Sequence, residues 1–87
     1  MSYTVLLSGQ AEKFYKKLRK DARARVREAL INLGDDPHVG KNLHGDLRGN
    51  CSLRVGKLRI VYNISEREKT VCIIAIGPRR RVYRLSL

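Results

Sequence analysis

"SLRVGKLRIVY", residues 52–62, decides the fold. Leu53, Val55, Leu58, Ile60 and Tyr62 fall on one side of a period of two, and Ser52, Arg54, Arg59 and Val61 fall on the other. That alternation describes two half-buried strands. Gly56-Lys57 between them suits a two-residue turn of the Gly-X kind. Such a hairpin sets position 54 against 59 and position 52 against 61. Arg54 and Arg59 then oppose each other on one sheet face, and opposed like charges destabilise a strand pair. A small protein that keeps this repulsion has a use for converging positive charge.

Working toward the C-terminus, Ile64 continues the apolar side and "SEREK", residues 65–69, turns the chain. "TVCIIAI", residues 70–76, is apolar on both faces, as a central and well-covered strand would be. Pairing centred on 65–69 sets Arg59 against roughly position 75 and Lys57 against 77. It leaves Ile74 on the apolar side. Gly77-Pro78 breaks the strand before "RRRVY". If the chain stays extended there, Arg79, Arg81 and Tyr83 join Arg54 and Arg59, while the small Ala75 and Gly77 leave a recess between them. Cys51 and Cys72 then sit two strands apart, about 10 Å. That is too far for a disulfide, so both are expected to be small buried fillers.

Working toward the N-terminus, "YTVLL", residues 3–7, is a short strand, and Ser8 caps a helix. Ala11, Phe14, Tyr15 and Leu18 form its apolar stripe. Asp21 is the expected cap of a second helix, Ala22 to about Leu33, with a stripe of Ala22, Val26, Ala29, Leu30 and Leu33. Gly34 is its expected C-terminal stop, with Pro37 soon after. The short link predicts an antiparallel helical hairpin. "DDPHVGKNLHGDLRGN", residues 35–50, reads as a loop by its Gly, Asp, Asn and Pro content. The whole is α+β: an N-terminal strand, an antiparallel helical hairpin, then an antiparallel β-meander, in one sheet with the helices on one face. Residues 1–87 make one domain.

Composition narrows the function. Nineteen Lys and Arg against eight Asp and Glu give a net charge of +11, which fits a polyanionic partner, nucleic acid before an acidic protein. No apolar run reaches the ~20 residues that span a bilayer. "MSYTVLLSGQ" lacks the features of a signal peptide, so a cytoplasmic location and no membrane partner are expected. No cluster of His, Cys or carboxylates has metal-ligand spacing, and Ser52 has no evident base, so neither a metal site nor a cofactor is expected. Converging arginines without carboxylates make a receptor for phosphate. RNA brings its own nucleophile, the 2′-OH, so ribonuclease chemistry without a metal is open to such a site, with arginines to orient the phosphate and stabilise developing charge. A tyrosine at the rim, Tyr83, would stack on a base or move a proton, its pKa lowered by the cationic neighbours.

"LRGNCSLRVGKLRIVYNI" followed by "VCIIAIGPRRRVY" resembles the RelE/ParE superfamily of toxins from toxin–antitoxin pairs. "FYKKLRKDARARVREAL" and "NLHGDLRG" fit the same pattern, so the likeness covers almost the whole chain. The resemblance to RelE-type members implies a metal-independent endoribonuclease that cuts mRNA in the ribosomal A site, leaving 2′,3′-cyclic phosphate ends and inhibiting translation. It implies that Arg59 stabilises the scissile phosphate, that Arg79 is a second phosphate-binding arginine, and that Tyr83 stacks near or deprotonates the substrate. Arg48 or His44 would match the basic residue of the loop. Arg54, Lys57 and Arg81 complete the expected RNA-binding set. Where some members carry two strand lysines, this chain has Ser52 and Arg54, and Arg54 supplies charge without accepting a proton.

The implied partners are a cognate RelB-like antitoxin, the ribosome and mRNA. The antitoxin is expected to be acidic and to wrap the helices and sheet. ParE-like members share the fold but poison DNA gyrase, which makes a gyrase inhibitor without nuclease activity the rival expectation. A basic nucleic-acid-binding module without chemistry is the third.

Overall fold

A computed structural model describes residues 2–43 and 49–78. The elements are β1 (Thr4–Leu7), α1 (Gly9–Lys17), α2 (Lys20–Asp35), a single 3-10 turn (Pro37–Val39), β2 (Lys41–Asn42), β3 (Cys51–Val55), β4 (Leu58–Ser65) and β5 (Thr70–Pro78). They build a five-stranded sheet in the order β1-β5-β4-β3-β2. The meander of β3, β4 and β5 is antiparallel, and β1 joins β5 in parallel, so the sheet is mixed. Both helices pack against one face. The α+β expectation holds.

The β3–β4 hairpin has the expected register, Arg54 against Arg59 and Ser52 against Val61. Gly56 takes a φ of +60°, the left-handed region that a Gly-X turn demands of its first residue. The β4–β5 register differs from the expected one. Arg59 pairs with Gly77, not with position 75, and Val61 takes Ala75. Two effects add. The loop Glu66–Lys69 closes on Ser65 and Thr70, one residue further than the expected centre, and Lys69 adopts a φ of +52° within it. A bulge between Val61 and Tyr62 then inserts Ile74. A shift of two keeps side-chain parity, so Ala75 stays on the Arg54 face. The bulge moves Ile74 to that face too, where it packs with Val61, Ala75 and Leu43 instead of the helices.

Three expected boundaries need correction, two of them in α2. Asp21 does not cap α2: the cap residue is Arg19, with no side-chain cap bond, and Asp21 lies in the first turn, where its charge still favours the helix N-terminus. Gly34 does not end α2; the helix continues to Asp35. A Cβ on Gly34 would lie 3.3 Å from both the Tyr3 carbonyl oxygen and Val5 Cγ2, so the glycine lets β1 approach the helix. The 35–50 segment is not all loop, because Lys41–Asn42 pairs with β3. Ser8 does cap α1, accepting from the Ala11 N–H at 3.1 Å.

The core joins Ala11, Val26, Leu30 and Leu33 of the helices to Ile60, Tyr62, Val71, Ile73 and Ile76 of the sheet. Tyr62 is its largest fully buried side chain. Its hydroxyl donates to the Pro37 carbonyl at 2.7 Å and accepts from the Gly40 N–H at 3.1 Å. That pair of bonds fastens the turn before β2 to the centre of the sheet. Cys51 and Cys72 are free thiols on β3 and β5 with β4 between them; Cys51 is buried and Cys72 only partly so.

Candidate phosphate-binding site

The β3–β4 hairpin carries the site. Val55 and Leu58 flank the two-residue turn as a hydrogen-bonded pair, so Arg54 and Arg59 form the next, non-hydrogen-bonded pair. In such pairs the Cα atoms come within about 4.5 Å and the side chains are closest. Both arginines stand on the face away from the helices. Arg59 Nη1 donates to Ser52 Oγ at 3.4 Å, and Arg54 Nε donates to the Gly56 carbonyl at 3.2 Å. Ser52 is only 3% exposed, so Arg59 is steadied from a buried anchor. Ser52 thus serves the site as a support with no base beside it. Its place two residues before Arg54, on the same strand face, was the signal available in the sequence.

Arg54, Gly56, Lys57, Leu58 and Arg59 line a recess of about 140 Å³. Gly77 lies opposite Arg59 in β5 and contributes no side chain. Pro78, the residue before Arg79, pairs with Leu58 beside this recess. Arg54, Lys57 and Arg59 are therefore brought together. Arg48, Arg79, Arg81 and Tyr83, with the alternative His44, lie outside the described residues.

The recess is electrostatically one-sided. Among the described residues, no carboxylate lies within 4.0 Å of Arg54, Lys57 or Arg59. The acidic residues with partners are elsewhere. Glu12 pairs with Lys16 on α1. Glu66, past the far end of β4, accepts from the Tyr3 hydroxyl at 2.5 Å and contacts His38 Nε2 at 2.8 Å and Lys69 Nζ at 3.6 Å. The Tyr3 hydrogen bond, then the His38 contact, hold the Glu66 carboxyl below its usual range, and Glu66 pushes the Tyr3 hydroxyl up. This polar cluster ties the N-terminus to two turns and stands apart from the arginines. No group of three or more His, Cys, Asp or Glu among the described residues is placed to hold a metal ion.

A concave patch of guanidinium and ammonium groups, without competing acids among the described residues, has the chemistry to take an anion such as a phosphodiester through charge-assisted bonds. The sequence matches the family model for the ParE toxin of the type II toxin–antitoxin system parDE over residues 5–83. It is 36% identical to toxin RelG of Mycobacterium tuberculosis over 86 residues, covering 97% of this chain and 99% of that one. It is 28% identical to the mRNA interferase toxin RelE of Escherichia coli, covering 93% and 87%. The fold superposes on the toxin–antitoxin complex RelBE2 of M. tuberculosis with a TM-score of 0.83 at 33% identity, covering 91% of this chain and 93% of the other. With its opposed arginines, mixed sheet and helical hairpin, the chain belongs to the RelE/ParE superfamily of toxins from type II toxin–antitoxin pairs.

Proposed function

We propose that this chain is a RelE-like ribonuclease toxin that cuts mRNA in the ribosomal A site and is neutralised by a cognate antitoxin. The observation that carries the proposal is the Arg54–Arg59 pair, joined by Lys57 at a recess where no described carboxylate competes. The relative bearing the name mRNA interferase supports the reaction class. The 2′-OH oxygen attacks the adjacent phosphorus and the P–O5′ bond breaks. One proton leaves the 2′-OH and one reaches the departing 5′ oxygen, giving a 2′,3′-cyclic phosphate and a 5′-OH end. Arg59, steadied by Ser52, faces the phosphate and offsets the charge that builds on its oxygens. Arg54 and Lys57 hold the neighbouring backbone. Arg79 is assigned as the second phosphate ligand and Tyr83 as the group that stacks on a base or moves the proton. Arg48 and Arg81 extend the RNA contacts. Every cationic role here falls to a side chain, and the nucleophile belongs to the RNA, so no step runs through a metal.

Primer extension on mRNA from a cell-free translation mix tests this. Wild type should produce discrete cuts at ribosome-occupied codons, and Arg79→Ala and Arg59→Ala should lose them. An intact message with wild type would refute the ribonuclease.

The matching family model favours a second reading, a ParE-like inhibitor of DNA gyrase. A supercoiling assay separates the two: gyrase inhibition with uncut message would select it.

A further inference from the structure

The two edges of the sheet are built differently. One is β2, only two residues long and carrying Lys41. A short strand with a lysine resists the addition of another strand. The other edge is β1, "TVLL", with no charge, proline or bulge to defend it. β1 spends only half of its backbone on β5. The Thr4 N–H donates to the Lys69 carbonyl and the Ser8 N–H to the Ile73 carbonyl, both at 2.9 Å, so the even-numbered residues face β5. Val5 and Leu7 turn their N–H and C=O groups the other way. No other described backbone group takes them.

Both faces beside this edge are apolar. Among the described residues three large hydrophobic side chains are exposed, and two of them flank β1: Leu6 at 54% and Ile31 at 57%. Val5 and Leu7 pack toward the core, so Leu6 stands on the face away from the helices. Ile31 stands on the helix face, where Val5, Leu7 and Leu30 join it around a hollow of about 340 Å³ between β1 and α2. Arg27 and Asp35 line the same hollow. They lie four residues to either side of Ile31, so the three form one stripe along α2: cation, apolar, anion. Arg27 and Asp35 are exposed, and neither has an ion-pair partner among the described residues. Gly34 approaches Tyr3 and Val5, which sets Asp35 at the start of β1 and Arg27 toward its end.

We propose that two copies of this chain join at β1 about a twofold axis through Leu6, making one continuous sheet. A twofold interface requires that where residue i of one copy meets j of the other, j also meets i. The stripe on α2 obeys that rule. Inverted, it sets Ile31 on Ile31 and sets Arg27 on Asp35 twice. Antiparallel pairing of the β1 strands sets Val5 against Leu7 in hydrogen-bonded pairs and brings the two Leu6 side chains together between them. A strand from an unrelated protein would have use for the open backbone but none for a stripe that complements itself. The net charge of +11 opposes self-association, but its effect here is small. Arg59 lies two strands in from β1, so the recesses of the two copies stand five strand spacings apart, roughly 24 Å. That is about three Debye lengths at physiological salt. The axis is perpendicular to the sheet, so both recesses open on one side and stay uncovered. The inference does not depend on the ribonuclease assignment.

Sedimentation equilibrium of the purified full chain at about 0.15 M salt tests this. Wild type should pass from monomer to dimer over roughly 1–100 µM, the range of a small interface. Arg27→Glu and Asp35→Arg each turn two attractive contacts into repulsive ones, and each alone should weaken the dimer at least tenfold. An equimolar mixture of the two variants should recover wild-type affinity, because both contacts of the mixed dimer again join opposite charges. Lys13→Glu, on α1, should change the affinity less than twofold. Hydrogen exchange at the Val5 and Leu7 amides of wild type should slow as concentration rises, while β2 stays unchanged; this reading needs no variant to fold. A wild type that remains monomeric to about 100 µM would overturn the proposal. A dimer that both charge variants leave intact, a mixture that fails to recover, or exchange at Val5 and Leu7 that ignores concentration would place any contact elsewhere and overturn it equally.

Discussion

Arg54 and Arg59 are cross-strand partners on the open face of the β3–β4 hairpin, and a hydrogen bond from Arg59 to the buried Ser52 holds one of them in place. Sheet pairs of this kind usually gain stability from opposite charges or from apolar contact, each worth about 0.2–1 kcal/mol. Here the pair costs stability. The recess it flanks gains a positive potential that only an anion relieves.

Replacing Arg54 with Thr therefore moves stability and activity in opposite directions. The change removes the repulsion and adds a residue that suits a strand. Urea denaturation should show Arg54→Thr more stable than wild type by about 0.5 kcal/mol at low salt. The gap should narrow by 0.5 M salt, because screening relieves the wild-type pair. mRNA cutting should fall at least tenfold. A variant that is both less stable and fully active would contradict the role given to the pair.

Burial pushes the Tyr62 hydroxyl up to about 12 from the ordinary value of 10.0, with Cys51 adding to the rise. The folded value exceeds the unfolded one, so the folded state favours the neutral phenol. That stability is fully present below pH 10 and drains away as pH rises through about 12. Tyr3, raised by its bond to Glu66, acts in the same direction. Tyr62→Phe leaves the Pro37 carbonyl and Gly40 N–H without their partner, a cost of about 1–3 kcal/mol at neutral pH. Between pH 10 and 12 the gap between wild type and Tyr62→Phe should shrink. Chemical denaturation at stepped pH measures it, and a gap that stays constant would rule out the ionisation of Tyr62 as the cause.

The hairpin was legible because one glycine turn and a period of two fix its register completely, and with it the Arg54–Arg59 opposition. The β4–β5 register was not, because "SEREK" marks a turn without marking its centre, and nothing in "TVCIIAI" announces the bulge at Ile74. Gly34 was read by its propensity as a helix stop, while tertiary contact with β1 gave it a different use. Lys41–Asn42 carries no strand signal of its own; its pairing exists because Tyr62 anchors the preceding turn. Of the candidate site, the facing of Arg54 and Arg59 came from strand parity, as did the expectation that Arg79, Arg81 and Tyr83 lie on the same side. The phosphate roles of Arg59 and Arg79 and the part given to Arg48 came from the family resemblance.

Gly40 is the position where close approach leaves least room. A Cβ there would stand 2.9 Å from the Ser52 carbonyl oxygen and 2.9 Å from the Tyr62 ring carbon that bears the hydroxyl. Neither neighbour can retreat, since one belongs to a paired strand and the other is fully buried. Gly40→Ala should destabilise by about 1–3 kcal/mol. Because Ser52 also anchors Arg59, cutting should weaken in the same variant even at temperatures where it remains folded. Thermal unfolding and primer extension together check this. A variant as stable as wild type would show that the turn shifts without strain.

Glu66 governs the acid limb of stability. Its carboxyl is held below the ordinary 4.5 by the Tyr3 hydroxyl and then by His38. A folded value below the unfolded one means the carboxylate stabilises the fold above pH 4.5, and the contribution disappears as pH falls through the folded value. Glu66→Gln keeps the shape but loses the charge that draws Tyr3, His38 and Lys69 together. Wild type should be the more stable at pH 6, and the two proteins should converge as the pH drops well below 4.5. The side chain is about half exposed, so the difference at pH 6 should be small and should shrink further in high salt. Cleavage should not change, because the cluster lies past the far end of β4 from Arg59. Loss of cutting in Glu66→Gln would show instead that the turns it ties together position the RNA.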